Sequence, residues 1–227
     1  LDGVGGDPNA GVYEIVEVID AHRIRIRPAA DVDGSSLYSL GRRSYSRFRV
    51  ANCDFFLLDT RGQRQMHDTR NPAKKGLSML GTVQRDWLMR ELAASDADFH
   101  FVVSSVNFMI PHVGGGKIRA GDKDEAWTVF LDEREKLINF FDSLKSPVLM
   151  LTGDLHNSFA IKITDKVWEF ASGPHNSNNH CASDEGDRPA NGPFKYGPRE
   201  VDIRWSSYYR SDIPRANLLH PTYCVVQ

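Results

Sequence analysis

The chain has 227 residues, of which 41% are hydrophobic and 26% charged, and its formal net charge is -2. That composition suits a globular protein with one sizeable core, or one domain plus a small appendage. The slight acidity counts against a protein that binds nucleic acid by neutralising phosphates, and no apolar run approaches the roughly 20 residues of a membrane span.

The three cysteines, Cys53, Cys181 and Cys224, contain no Cys-x-x-Cys pair, which excludes a disulfide framework and a four-cysteine zinc site. The chain starts at Leu1 and not at Met, and its last seven residues, 221–227, read as a strand cut off in progress. Both ends read as those of a piece trimmed from a longer polypeptide.

Residues 1–11 are rich in Gly, Asp, Pro and Asn and form a loose lead-in. Two β-rich runs follow: Val12 to Ile19, then Ile24 and Ile26 alternating with Arg23, Arg25 and Arg27. The period of two and the Asp20-Ala21 break predict a β-hairpin over 12–28. A turn-rich connector over 31–41 leads to strands at 46–50 and 54–58, the second apolar enough to be buried on both faces. A polar loop through Gly62, His67, Asn71 and Pro72 comes next.

Helical spacing of Val83, Trp87, Leu88 and Leu92 predicts a helix over 82–95. A buried-type strand over 99–106 precedes His112 and the run Gly114-Gly115-Gly116. The apolar stripe Trp127, Phe130, Leu131, Leu137, Ile138, Phe141 and Leu144 predicts a helix over 125–144. Strands are expected at 148–151, 159–163 and 167–170, and residues 173–200, poor in aliphatics, read as a long loop. The alternation of strand and helix from residue 54 onward argues for an α/β layered core containing parallel strands.

Three segments carry groups suited to chemistry. Thr152-Gly153-Asp154-Leu155-His156-Asn157-Ser158 follows a buried strand, where ligands gather in open α/β sheets. On an extended backbone, Asp154 and His156 at i and i+2 would point the same way, so a carboxylate and an imidazole could share one cation. An Asp-capped turn with an exposed His is the plain alternative. Asp59-Thr60-Arg61 also ends a strand, and Arg61 is a fixed fork suited to phosphate, or else half of a strand-end ion pair. His175 and His180 sit among three Asn, as metal ligands, phosphate donors or solvated side chains. His112 reads as part of a surface loop, and His22, His67, His100 and His220 as structural or exposed. There is no Gly-x-Ser-x-Gly and no His-Glu-x-x-His.

In order along the chain, Phe48-Arg49-Val50 with Phe55-Phe56-Leu57-Leu58-Asp59-Thr60-Arg61, then Leu80-Gly81, Gln84, Trp87-Leu88, Leu92 and Ser95-Asp96, then Leu151-Thr152-Gly153-Asp154-Leu155-His156, resemble the alkaline phosphatase D-like family over roughly residues 45–172. The resemblance implies an α/β fold, a fragment of a four-layer αββα metallophosphoesterase sandwich. It divides the chain into a lead-in and β-hairpin insertion over 1–44 and a C-terminal part of the catalytic domain over 45–227. It implies metal-dependent hydrolysis of phosphate mono- or diesters, with Asp154 and His156 as catalytic and metal-ligating residues and Arg61 in the matching Asp-x-Arg segment. The segment of His175 departs from the family's usual Ser-rich one, and Arg61, Asn157 and His175 are the residues expected to face the substrate.

It further implies iron and calcium, with zinc, manganese or magnesium as substitutes, a small phosphoester as partner, and an extracytoplasmic or secreted location. The family's Asp-x-His or Asp-x-Cys, Gly-Asp and Trp-Asp-Asp-His-like boxes are not in this chain, so the N-terminal half of the same polypeptide is the expected second partner. A related hydrolase of another ester and a non-catalytic binding module are the alternatives.

Overall fold

The computed structural model describes residues 9, 13–35, 43–65, 76–113 and 126–225. His67, the triple glycine at 114–116, most of the N-terminal lead-in and the start of the connector's second half, 36–41, lie outside the described residues.

The hairpin forms as the alternation requires: β1 (Glu14–Asp20) pairs antiparallel with β2 (Arg23–Arg27) around Ala21-His22. One face sets Ile15 against Ile26 and Val18 against Ile24; the other carries Arg27–Glu14, Arg25–Glu17 and Arg23–Asp20 ion pairs. β1 is exposed along its whole length, so the hairpin stands apart from the core.

The remaining strands make one eight-stranded sheet. They are β3 (Ser46–Val50), β4 (Cys53–Leu57), β5 (Phe99–Ser104), β6 (Val148–Thr152), β7 (Phe159–Lys162), β8 (Val167–Ala171), β9 (Gly192–Tyr196) and β10 (Arg199–Ser206), in the spatial order β3-β4-β5-β6-β8-β7-β10-β9. β4, β5, β6 and β8 are parallel neighbours and the flanking pairs are antiparallel. Helices α1 (Gly81–Ala93) and α2 (Leu131–Ser143) make the two crossovers between the parallel strands β4, β5 and β6. The described residues therefore supply one large mixed sheet with its helices, together with the separate hairpin sheet.

Alternation along the strands divides the sheet into two unlike faces. Phe56, Val102, Met150 and Ile161 are at most 1% exposed and join Leu88, Leu92, Leu137, Ile138 and Phe141 of the helices in one core. Full burial of side chains of this size stabilises the fold by about 1.5–3 kcal/mol each. On the opposite phase Phe55, Leu149, Leu151, Trp168 and Phe170 are only half-buried, and Phe48 and Trp205 are exposed. Register places Phe48 beside Phe55, Phe55 beside Phe101, Phe101 beside Leu149 and Leu149 beside Trp168, one apolar row across five strands.

Three expectations need correction. The second helix starts at Leu131 and not at 125, because Trp127 is held elsewhere: its indole N–H donates to Ser104 Oγ at 3.1 Å, and its ring meets Phe108 edge-on at 5.2 Å. Residues 126–130 form turns whose apolar members are buried without being helical. The long loop expected over 173–200 contains a short 3-10 turn, Ala182–Glu185, then β9 and the start of β10. Phe194, Val201 and Ile203 are the buried positions of that hairpin, too widely spaced among polar residues to read as a strand pair. Residues 221–225 are not a strand; the Thr222 amide donates instead to Pro174 O at 3.1 Å.

Candidate active site

Because β4, β5, β6 and β8 are parallel, the loops that leave their carboxyl ends share one edge of the sheet, and these loops carry every candidate residue. The loop after β4 is held rigidly. Gln84, fully buried on α1, accepts from Asp59 N at 2.8 Å and donates to Asp59 O at 2.9 Å. The Asp59 carboxylate accepts the amides of Arg61 (3.0 Å) and Gly62 (2.7 Å) and the Ser44 hydroxyl. Burial is the largest single influence on this carboxyl and pushes it up, but these hydrogen bonds together hold it below the usual aspartate range. Asp59 thus shapes the turn, and Arg61 stands exposed with no ion pair to a described residue.

Thr60 Oγ1 meets Ser105 Oγ at 2.5 Å, tying the loop after β4 to the loop after β5. A side chain at Gly153 would lie 3.7 Å from Ser105 O, so the loop after β6 adjoins the same residue. Arg61 and the Gly153-Asp154 segment therefore leave β4 and β6, the strands that flank β5, on either side of Ser105.

The Asp154–His156 segment does not continue the strand. Asp154 has φ +67, a left-handed conformation that Asp tolerates better than most residues. Leu155 N then donates to Gly153 O and Asn157 N to Leu155 O, at 2.8 and 2.7 Å. The backbone turns twice, so the i, i+2 argument for convergence does not hold on its stated ground. Leu155 is buried in the core, Asp154 is exposed and His156 half-buried.

His156 is oriented closely. Its Nδ1 lies 2.6 Å from Asn178 O, with Ser177 Oγ at 3.4 Å. A carbonyl can only accept, so Nδ1 carries a proton, and in the neutral ring Nε2 carries the lone pair. The ring stacks on His180 at 4.6 Å and 22°, and His180 meets His112 at 4.5 Å, giving a column of three imidazoles from three loops. His175 lies exposed on the loop after β8. Asn157 is fully buried: it donates to His180 O (2.9 Å) and Glu185 Oε1 (2.7 Å) and accepts from Ser207 Oγ (3.2 Å). The expectation of Asn157 facing substrate meets no exposed atom; its carboxamide braces the loop.

Sequence reasoning passed over two buried acids. Glu185 receives Asn157 Nδ2 and Arg188 Nε (2.6 Å). Burial raises its carboxyl to about 7 against the lowering effect of Arg188 and Asn157. Glu169 accepts the amides of Phe108 (2.7 Å) and Met109 (2.8 Å) and the Thr152 hydroxyl (2.7 Å), so it fixes the loop that carries His112. Burial pushes its carboxyl up despite those donors. The parity of Val167, Glu169 and Ala171 on β8 was a visible signal for Glu169; Glu185, inside a polar tract, had none.

The Asp154 carboxylate and His156 Nε2 are open to a cation, and the backbone carbonyl behind Nδ1 is a common support for a ligating imidazole. Among the described residues, however, no group of three or more His, Cys, Asp or Glu could hold a metal ion. The described residues do not build a complete centre by themselves. The three cysteines are free, and no described helix is long and apolar enough to cross a membrane.

A parallel-centred mixed sheet with loops of this kind along one edge defines an α/β protein with a candidate site at the strand carboxyl ends. The profile of PhoD-like phosphatases matches residues 26–209, and the chain belongs to that family. A solved structure titled "Structure of PhoD" shares the fold, with a TM-score of 0.53 and 23% identity, covering 75% of this chain and 35% of that one. This chain thus spans about a third of the solved PhoD chain. No curated protein matches it.

Proposed function

We propose that this chain is the C-terminal part of the catalytic domain of a metal-dependent phosphoester hydrolase, acting on phosphate mono- or diesters. The observation that supports the reading is that three loops leaving parallel strands at one edge of the sheet bear Arg61, Asp154 with His156, and His175. Family membership supports the class of reaction.

Arg61 presents a permanent cation to phosphoryl oxygens, on a loop that Gln84 and Asp59 keep from relaxing, so the charge costs little reorganisation as the transition state forms. Asp154 and His156 Nε2 are this chain's contribution to a metal centre completed by the remaining polypeptide, with iron and calcium expected and zinc, manganese or magnesium as substitutes. The bound ions would supply an activated water and charge neutralisation. An extracytoplasmic location belongs to the same reading.

The test measures bound metal and phosphate release together in the full polypeptide, with a generic phosphomonoester and phosphodiester as substrates. His156→Ala and Asp154→Ala should lower both quantities, and Arg61→Ala should lower turnover while metal stays bound. Full activity and metal content in His156→Ala would overturn the assignment. A full polypeptide inert with every ester and metal would favour a binding module that keeps the fold.

A further inference from the structure

The C-terminal segment, 218–222, lies outside the span matched to the family, yet it is bonded to the loop that orients His156. Asn179 is 2% exposed; its backbone N–H donates to Leu218 O at 2.7 Å, and its Nδ2 donates to Leu218 O at 2.7 Å and to His220 O at 3.0 Å. On one side of Asn179 stands the carbonyl of Asn178, which holds His156 Nδ1. On the other stands His180, whose amide donates to His156 O at 3.2 Å and whose ring stacks on the His156 ring.

Two residues further on, Thr222 closes a second tie. The Gly173 amide donates to Ser158 Oγ at 2.8 Å, so the Ser158 hydroxyl proton is available to Thr222 Oγ1, 2.9 Å away. Thr222 N reaches Pro174 O at 3.1 Å. The fit leaves no slack: a Cβ at Gly173 would come 2.6 Å from Thr222 Oγ1 and 3.2 Å from Asn157 C and Ser158 Oγ.

We infer that residues 218–222 are a positioning element for His156, acting through Asn179 and Thr222 to keep the proton on Nδ1 and the lone pair on Nε2. An imidazole in water favours the opposite tautomer, so the arrangement must be imposed, and the carbonyl of Asn178 imposes it only while its segment is fixed. The chemical consequence, an Nε2 ready for a cation or a phosphoester proton, rests on the reading of His156 as an active-site group. The tautomer itself does not.

The experiment follows the His156 ring nitrogens by 15N–1H correlation in the full polypeptide labelled with 15N-histidine, freed of metal by chelation and at alkaline pH, where imidazoles are neutral. His156→Gln identifies the signal. Wild type should show the proton on Nδ1. Asn179→Asp, which keeps shape but removes both side-chain donors, and Thr222→Val should move His156 to the Nε2–H form and lower kcat/KM about 10-fold or more; Thr222→Ser should retain both. A wild-type proton on Nε2, or an unchanged tautomer in both disrupting variants, would overturn the inference. If Asn179→Asp loses cooperative unfolding, the Thr222 pair decides. If the tautomers behave as stated while His156→Ala keeps full activity, the positioning element stands and the active-site reading falls.

Discussion

Gln84 grips the backbone of Asp59 in both directions, taking its N–H and giving to its C=O across 2.8 and 2.9 Å from a fully buried position on α1. One helix residue thereby satisfies both polar groups of the residue that begins the Arg61 loop. Gln84→Met keeps the volume and removes both bonds, leaving a part-buried donor and acceptor unpaired. The substitution should destabilise the protein by about 2–4 kcal/mol in denaturant unfolding, and in the full polypeptide it should raise KM for phosphoesters by freeing Arg61. A loss well below about 1 kcal/mol would show that the loop finds other partners.

Glu185 makes stability depend on pH. Its folded carboxyl titrates at about 7 against an ordinary 4.5, so the native state holds a proton that the unfolded chain releases between those values. The stabilisation is full below about pH 4.5 and is lost as pH rises through 7, by about 3 kcal/mol for a shift of this size. Subtracting the Glu185→Gln profile from wild type across pH 4.5–7 should isolate this falling slope. Above about pH 7, where the folded carboxyl is ionised, the variant should also leave Arg188, 1% exposed, without its counter-charge. A difference curve without slope would show that Glu185 is ionised in the folded protein.

His100 acts with the opposite sign. It is 2% exposed, its ring meets Phe56 edge-on, and neither ring nitrogen has a hydrogen-bond partner among the described residues. Burial holds its pKa below the ordinary 6.5, so its neutral form favours folding at high pH and stability is lost as pH falls below 6.5. His100→Leu replaces unsatisfied nitrogens with apolar surface and should raise stability by about 1 kcal/mol at alkaline pH and by more in mild acid. Equal gains at both pH values would disprove the titration.

The β1–β2 hairpin should be dispensable for folding. Its three ion pairs are exposed, and pairs of that kind contribute about 0–1 kcal/mol. Deleting residues 13–28 should leave a single cooperative unfolding transition. Loss of cooperativity would place the hairpin within the core unit.

Period and punctuation were sufficient where local pattern and tertiary packing agree: the hairpin, the strands β3 to β8 and α1 all stand within a few residues of their expected places. They were insufficient where one distant contact prevails. Trp127 carries a helical spacing but is captured by Ser104 and Phe108, and β9 and β10 form from apolar residues diluted in a polar tract. The site was legible as loops and not as geometry. Strand ends located Arg61 and the Asp154–His156 box, but the double turn after Thr152, the imidazole column and the Asn157–Glu185–Arg188 network arise from pairings of residues distant in sequence.

The apolar row from Phe48 through Phe55, Phe101 and Leu149 to Trp168 has a thermodynamic consequence. Among the described residues the helices pack on only one side of the sheet, so any surface that covers the other face gains the same kind of burial that holds the core together. A surface that binds this row only in the folded sheet is coupled to folding, and mass action then raises the melting temperature with its concentration. A melting temperature that changes with dilution would report that second copies of this chain cover the row, and one that does not would report that they leave it free.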